Sequence, residues 1–257
     1  MKSYNKFLSF GCSFTEGHHL IDDKVSWGDF LGRKLDIPHQ NYGAGGSSNE
    51  QIFNIILSTL ENPNFNYSKT LIGIQLSEVL RFPLWDSSLH RYWSSTLGNF
   101  TNDWGDYEGW TLDKKMFMFT RKHREALYEL YGNEDNHVYS TVKGLVTLSA
   151  YLKNKNIDFF VFEGMNSFLD IPHKYPFKDG ETEIFIPPHL TPFIETEYKK
   201  QLLDSKWFYT ERTPMNYNMW NSPLYNKEEN DEHPNPAFLD DWTDSLINWL
   251  KNTWSKV

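Results

Sequence analysis

A serine and a histidine near opposite ends of the chain carry the side chains that acyl transfer needs. Ser13 follows an apolar run that ends at Gly11 and Cys12. A serine hydroxyl is a weak nucleophile unless a base takes its proton. His233 lies two residues after Asp231, and a carboxylate bonded to one imidazole nitrogen leaves the other nitrogen to accept that proton. These residues predict a nucleophile, a base and an orienting acid, provided that the fold brings them together.

Each of these side chains also has a plainer interpretation. Ser13 can be a turn serine whose hydroxyl bonds to its own backbone. Cys12 could be the nucleophile instead, but a small cysteine beside a strand end is commonly buried, and alternation exposes only one of the pair. His233 precedes Asn235 and Pro236, which are typical of a helix start. We favour Ser13 as the nucleophile and His233 as its base.

The acid that orients His233 has several candidates in the preceding residues. Asp231 is our choice, because its carboxylate both fixes the tautomer and stabilises the imidazolium. Glu229 and Glu232 are alternatives, and Asn230 could orient the ring without stabilising its charge.

Apolar patterns indicate a chain in which strands and helices alternate. Short apolar runs predict strands at residues 6–11, 70–76 and 157–162. Helical spacing predicts helices at 26–35, from the Ser47 and Ser48 caps to 60, at 138–154, and from the Asn235 cap to 254. This alternation predicts a three-layer α/β/α sandwich around a central parallel sheet, with its site at the carboxyl ends of the strands.

Two long irregular inserts interrupt the predicted single domain, which spans residues 1–257. They cover about 82–115 and 164–230, and segments of this length are commonly lids or binding surfaces. The first is rich in aromatic residues: Trp85, Tyr92, Trp93, Phe100, Trp104, Tyr107 and Trp110. These rings could stack on sugar rings or form a small core of the insert itself. Trp85 and Trp104 are our candidates for substrate binding.

Three short blocks of the sequence resemble the SGNH, or GDSL-type, hydrolase superfamily. They are FGCSFTEG at residues 10–17, NYGAGG at 41–46 and DEHP at 231–234. The resemblance implies a three-layer α/β/α fold and serine esterase chemistry that needs no metal or cofactor. It also implies that Ser13 is the nucleophile, that Asp231 and His233 complete the triad, and that the amides of Ser13 and Gly46 form part of an oxyanion hole.

The chain departs from the family pattern in three places. Cys12 replaces the usual aspartate of the first block, at a position that is not catalytic in the family. The family's acid lies three residues before the histidine, where this chain has Asn230. A further block of the family, G-x-N-D, which supplies an oxyanion asparagine, is absent, and Ser77 and Glu78 stand after the strand instead. Loss of one oxyanion donor typically costs about 100- to 1,000-fold in rate. Either Ser77 or another polar group then substitutes for it, or the enzyme is slow or inactive. Arg81 could reach an anionic substrate group or pair with Glu78.

Composition narrows the possible partners. The net charge of −9 disfavours nucleic acid. The single cysteine excludes an intrachain disulfide, and no segment is typical of a signal peptide or a membrane span, so we expect a soluble protein, cytoplasmic or released without a signal peptide.

His18 and His19, near Glu16 and Asp22, could suggest a metal site, but adjacent histidines face apart, and we favour a solvated loop.

The sequence therefore predicts a serine esterase that hydrolyses a carboxylic ester on a small molecule or glycan, with an acetyl ester on a carbohydrate as the first choice. Two alternatives stay open. One is an impaired scaffold that serves as a carbohydrate-binding or assembly module. The other is an O-acyltransferase, which uses the same triad but passes the acyl group to a hydroxyl other than water.

Overall fold

A parallel sheet with helices on both faces organises the chain. The structure is a computed structural model that describes residues 3–17, 25–63, 65, 67–79, 81–86, 91–96, 134–165, 200–202, 204–225 and 233–254. The strands are β1 (Lys6–Gly11), β2 (His39–Gly43), β3 (Thr70–Leu76), β4 (Arg81–Asp86), β5 (Arg91–Thr96) and β6 (Asp158–Glu163). The helices are α1 (Ser13–Glu16), α2 (Trp27–Leu35), α3 (Asn49–Leu60), α4 (Glu134–Asn154), α5 (Met215–Trp220) and α6 (Pro236–Trp254).

The central sheet has the order β2-β1-β3-β6, and all its strands are parallel. Gly11 at the end of β1 pairs with Gly43 at the end of β2, and Leu76 at the end of β3 pairs with Glu163 at the end of β6. The carboxyl ends of the four strands therefore lie along one edge. This arrangement confirms the predicted α/β sandwich with a parallel sheet.

Alternating side chains cover the two faces of the sheet with separate apolar cores, because successive residues of a strand point to opposite faces. One face packs against α3 and α4; it contributes Leu8, Phe10, Ile72, Ile74, Phe159 and Val161. The other packs against α2 and α6; it contributes Phe7, Leu71, Phe160 and Phe162. Strands buried on both faces read as continuous apolar runs, which is why the sequence identified β1, β3 and β6.

The sequence pattern did not identify β2, because this edge strand, HQNYG, is polar and partly exposed. It pairs with β1 from Phe7↔His39 to Gly11↔Gly43. β2 is a strand because its backbone pairs with a buried neighbour, although its own sequence has no apolar run.

Regular structure also occurs inside both predicted inserts. β4 and β5 pair as an antiparallel hairpin at the start of the first insert, where Trp85 stands opposite Tyr92. In the second insert, the amide of Val161 donates to the carbonyl of Trp207, and the amide of Tyr209 donates to the carbonyl of Val161, each at 2.8 Å. Residues 207–209 therefore extend the sheet beyond β6.

Two predicted helix starts, at Ser48 and Asn235, are confirmed by their caps, whereas α4 begins at Glu134 and not at the predicted residue 138. Ser48 and Gln51 form a capping box at the start of α3. At the start of α6, the Asn235 Oδ1 atom accepts a hydrogen bond from the Phe238 amide at 2.8 Å. Within the described residues, no helix has the length and apolarity needed to cross a membrane.

Candidate active site

Ser13 lies just beyond the carboxyl end of β1, where the chain turns into α1. Cys12 is the N-cap of this short helix, and Gly17 ends it in a left-handed conformation with φ of 77°. The Cys12 side chain is buried, whereas Ser13 is half-buried. Of the two candidate nucleophiles, the serine is the one with access to solvent.

A buried polar network holds the residues on both sides of Ser13. The Thr15 hydroxyl donates to Gln75 Oε1 at 2.6 Å, and Gln75 Nε2 donates to Cys12 Sγ at 3.1 Å. Trp27 Nε1 donates in turn to the Thr15 hydroxyl at 3.0 Å. Gln75 belongs to β3, so the neighbouring strand fixes the turn that carries Ser13. Sequence patterns alone did not predict this network, although one polar residue in the apolar run TLIGIQL was a signal for it.

The turn after β2 packs directly against α1. Asn41 Nδ2 donates to the Thr15 carbonyl at 2.6 Å, and Asn41 Oδ1 accepts from the Gly43 amide at 2.7 Å. A side chain on Gly43 would lie 2.6 Å from the Thr15 carbonyl carbon and overlap the Glu16 amide. Only glycine allows this approach, which brings the second block of the sequence alongside the Ser13 turn.

Gly46 follows in a left-handed conformation, with φ of 75° and open space where a Cβ atom would stand. Glycine adopts this conformation without the penalty that a side chain brings.

Ser77 follows β3 at the position where the family supplies its oxyanion asparagine. Its amide donates to Asn49 Oδ1 at 2.7 Å, and its carbonyl accepts from Asn49 Nδ2 at 3.1 Å. The amide is therefore already engaged. The Ser77 hydroxyl is buried and has no hydrogen-bond partner among the described residues, so the hydroxyl is the donor that this residue can offer.

Glu78 and Arg81 lie just beyond Ser77. Arg81 Nε is 3.7 Å from Glu78 Oε2, and Arg81 Nη2 is 3.5 Å from the sulfur of Met165. Burial raises the pKa of Glu78, and the nearby Arg81 charge offsets this only in part.

His233 reaches the Ser13 turn from the far end of the sequence. Its ring lies 5.4 Å, centroid to centroid, from the Phe14 ring, at an interplanar angle of 68°. Phe14 is the residue after Ser13. Asn235 holds the chain here, because its Nδ2 donates to the Leu224 carbonyl at 2.8 Å. The structure therefore brings His233 beside the predicted nucleophile's turn.

Several predicted residues lie outside the described part of the chain. They are Asp231, Glu229, Asn230, Glu232, Trp104, His18, His19 and Asp22. Trp85 lies in β4. Among the described residues, no group of three or more metal-binding side chains comes together.

A serine, a histidine and an aspartate that are not among the predicted site residues form a hydrogen-bonded relay. Ser9 Oγ lies 2.8 Å from His39 Nε2, and His39 Nδ1 lies 2.8 Å from Asp29 Oδ1. Ser9 lies within β1 and is completely buried. The described residues cover its hydroxyl completely, and the relay joins α2 to β1 and β2. Sequence patterns do not reveal it, because the three residues meet only through strand pairing.

Asp29 also takes part in the capping box at the start of α2. Its Oδ2 accepts hydrogen bonds from the Ser26 amide and hydroxyl, at 2.7 and 2.8 Å. Burial alone would raise the pKa of Asp29, but the hydrogen bonds from His39 and Ser26 outweigh it and lower the pKa below its ordinary value. A cavity of about 710 Å³ borders Asp29 and His39.

Solved structures of esterases and lipases are similar to this chain. An esterase from Pseudoalteromonas sp. is 14% identical, with a TM-score of 0.47, and the alignment covers 96% of this chain and 99% of the esterase. A GDSL-like lipase from Bacteroides thetaiotaomicron is 14% identical, with a TM-score of 0.45 and coverages of 98% and 89%. A variant of an acetyl xylan esterase from Geobacillus stearothermophilus is 14% identical, with a TM-score of 0.45 and coverages of 97% and 96%.

No protein-family model matches the chain, and no curated protein matches it in sequence. The interpretation of the site therefore depends on the geometry described above.

Proposed function

We propose that the protein is a serine ester hydrolase of the SGNH type. The observation that supports this most directly is the contact between His233 and Phe14. It places an imidazole beside the turn that presents Ser13 at the carboxyl edge of a parallel sheet. This edge is where α/β folds of this kind hold their ligands.

The proposed chemistry uses two steps. Ser13 Oγ attacks the acyl carbonyl while His233 accepts its proton, and Asp231 orients the ring and stabilises the imidazolium. His233 then returns the proton to the leaving alcohol, and the acyl group stays on Ser13. In the second step, His233 takes a proton from water, which releases the acid and restores the serine.

The negative charge on the attacked carbonyl oxygen needs donors aimed at it. We assign this role to the amides of Ser13 and Gly46 and to the Ser77 hydroxyl. The Ser77 amide is bonded to Asn49, so its hydroxyl takes the place of the family's asparagine side chain.

We further propose that the substrate is an acetyl ester on a carbohydrate. Trp85 and Trp104 belong to an aromatic segment of the kind that stacks on sugar rings. A small acyl group suits a nucleophile held in a tight turn between Cys12 and Phe14, both of which are buried.

Hydrolysis of p-nitrophenyl acetate by three forms of the protein tests the function. The intact chain and Cys12→Ala should release nitrophenol, and Ser13→Ala should lose at least about 1,000-fold in kcat. Cys12→Ala and Ser13→Ala each remove one heavy atom, which makes them a matched pair. Activity that depends on Cys12 and survives Ser13→Ala would overturn the assignment.

A fluorophosphonate probe supplies a second measurement that does not depend on the substrate. Such probes react with serines that a neighbouring base activates. We expect modification of Ser13 in the intact chain and its loss in His233→Ala. A folded chain that neither cleaves esters nor reacts with the probe would instead indicate the binding module.

A further inference from the structure

An arginine with unused hydrogen-bond donors lies at the carboxyl edge of the sheet. β3 ends at Leu76, and a turn closed by the Arg81 amide and the Glu78 carbonyl, at 3.2 Å, leads into β4. Arg81 is the first residue of β4, and its side chain is only 14% exposed. Its charge is therefore largely removed from water.

Within the part of the chain that the structure describes, the guanidinium has few acceptors within reach. Its Nη2 atom contacts the Met165 sulfur at 3.5 Å, and a thioether is a weak acceptor. Its Nε and Nη1 atoms are buried and have no hydrogen-bond partner among the described residues. Buried donors of a charged group are strongly unfavourable without acceptors, which indicates that a ligand supplies them.

Glu78 does not fill this role. Its carboxylate is 3.7 Å from Arg81 Nε, which is too far for a hydrogen bond. Burial raises the pKa of Glu78, which favours its neutral form. Glu78 therefore forms an ion pair with Arg81 but accepts no hydrogen bond from its Nε donor.

Arg81 and Ser13 both follow strands that end at the carboxyl edge of the sheet. Arg81 follows β3 and contacts Met165, which follows β6. β1, which leads to Ser13, is the other neighbour of β3. Adjacent strands are about 4.8 Å apart, so the ends of β3 and β1 are separated by about the width of one sugar or benzene ring.

We propose that Arg81 binds a carboxylate on the alcohol part of the ester, so that the enzyme acts on acetyl esters of carboxylate-bearing molecules such as acidic sugars. This rests on the proposed esterase function. The planar guanidinium fork matches carboxylate and phosphate alike. One guanidinium balances one negative charge, which favours the singly charged carboxylate over a phosphate dianion.

Three matched acetate esters test the substrate class. They are 4-acetoxybenzoate, the neutral 4-acetoxybenzamide and 4-acetoxyphenyl phosphate, in which the group opposite the ester differs. We expect kcat/KM for the benzoate to exceed that for the benzamide by about 10- to 100-fold in the intact chain, as for a charge-assisted hydrogen bond. Arg81→Gln should remove most of this ratio, and Arg81→Lys should restore part of it.

The ratio of kcat/KM values is taken within each variant, so any general effect of the substitution on folding or turnover cancels. A ratio near one in the intact chain, or a ratio that Arg81→Gln leaves unchanged, would overturn the proposal. Preference for the phosphate ester over the benzoate would overturn the choice of carboxylate.

A binding measurement separates this proposal from the esterase function. Titration calorimetry on Ser13→Ala, with 4-acetamidobenzoate and 4-acetamidobenzamide, needs no turnover. We expect the carboxylate compound to bind at least about tenfold more tightly, and the double variant with Arg81→Gln to lose the difference. Equal binding of the two compounds would refute the role of Arg81, whether or not the intact chain cleaves esters.

Discussion

Replacement of Gln75 by leucine tests whether β3 positions the nucleophile. The Gln75 side chain is completely buried, accepts from the Thr15 hydroxyl at 2.6 Å and donates to Cys12 Sγ at 3.1 Å. Leucine has a similar volume, so Gln75→Leu removes the bonds without opening a large cavity. The network binds the residue before Ser13 and the second residue after it, so both sides of the turn lose a restraint.

The expected loss of stability follows from the hydrogen bonds that Gln75→Leu removes. The Thr15 hydroxyl remains buried without its acceptor, which costs about 1–3 kcal/mol. The bond to the Cys12 sulfur adds little, because sulfur is a weak acceptor. In a domain of this size, about 1–3 kcal/mol lowers the Tm by about 2–12 °C. A nucleophile displaced by about 1 Å loses about 100-fold in rate. We therefore expect kcat to fall by about this factor, and KM to change by a smaller factor.

Thermal unfolding and hydrolysis of p-nitrophenyl acetate measure the two effects. Thr15→Val removes the same hydrogen bond from its other end, so the double variant should cost less than the sum of the single variants. Gln40→Leu makes the same chemical change at an exposed position of β2 and should be neutral. If Thr15→Val and Gln75→Leu add within about 0.5 kcal/mol, or if kcat is unchanged, the positioning role is refuted.

Three further predictions concern the scaffold. Asp29 has a lowered pKa in the fold, so its contribution is present above its ordinary pKa of 3.8 and is lost as pH falls through the folded value. Asp29→Asn should therefore lower the free energy of unfolding, measured in urea, at pH 7 and much less near pH 3. A difference in unfolding free energy between the two proteins that does not change with pH would contradict this. Asn49→Ala should lower the free energy of unfolding by about 2–4 kcal/mol, because two buried backbone groups of Ser77 lose their partner. Asn49→Asp keeps the acceptor for the Ser77 amide and loses only the donor to the Ser77 carbonyl, so comparing the two variants measures the contribution of each bond. Gly43→Ala should cost at least about 1–3 kcal/mol through overlap with α1, and a normal Tm would show that the turn can move.

Apolar patterning was sufficient to predict most of the scaffold. β1, β3 and β6 are buried on both faces, so their runs identified them, and Ser48 and Asn235 identified helix starts through their chemistry. β2 could not be found in this way, because its residues are polar and its strand character comes from pairing with β1. The β4–β5 hairpin was likewise hidden in a segment without a sustained period.

The sequence predicted the site less completely than the fold. Ser13 and His233 were predicted from the blocks that contain them, and the structure places the His233 ring against Phe14, while their catalytic roles stay a prediction. Gln75, Asn49 and the Ser9–His39–Asp29 relay were missed. Each makes its bonds to residues distant in the chain, and those partners become neighbours only once strand order and register are fixed.

The relay of Ser9, His39 and Asp29 bears on how hydrolytic centres are located in folded proteins. A template that matches residue types and interatomic distances would select this trio, since both of its links measure 2.8 Å. Yet Ser9 is completely buried among the residues that the structure describes. In this molecule, a covalent serine reagent followed by peptide mapping would discriminate between this trio and the proposed site at Ser13 where a geometric template would not, because a reagent samples accessibility as well as shape.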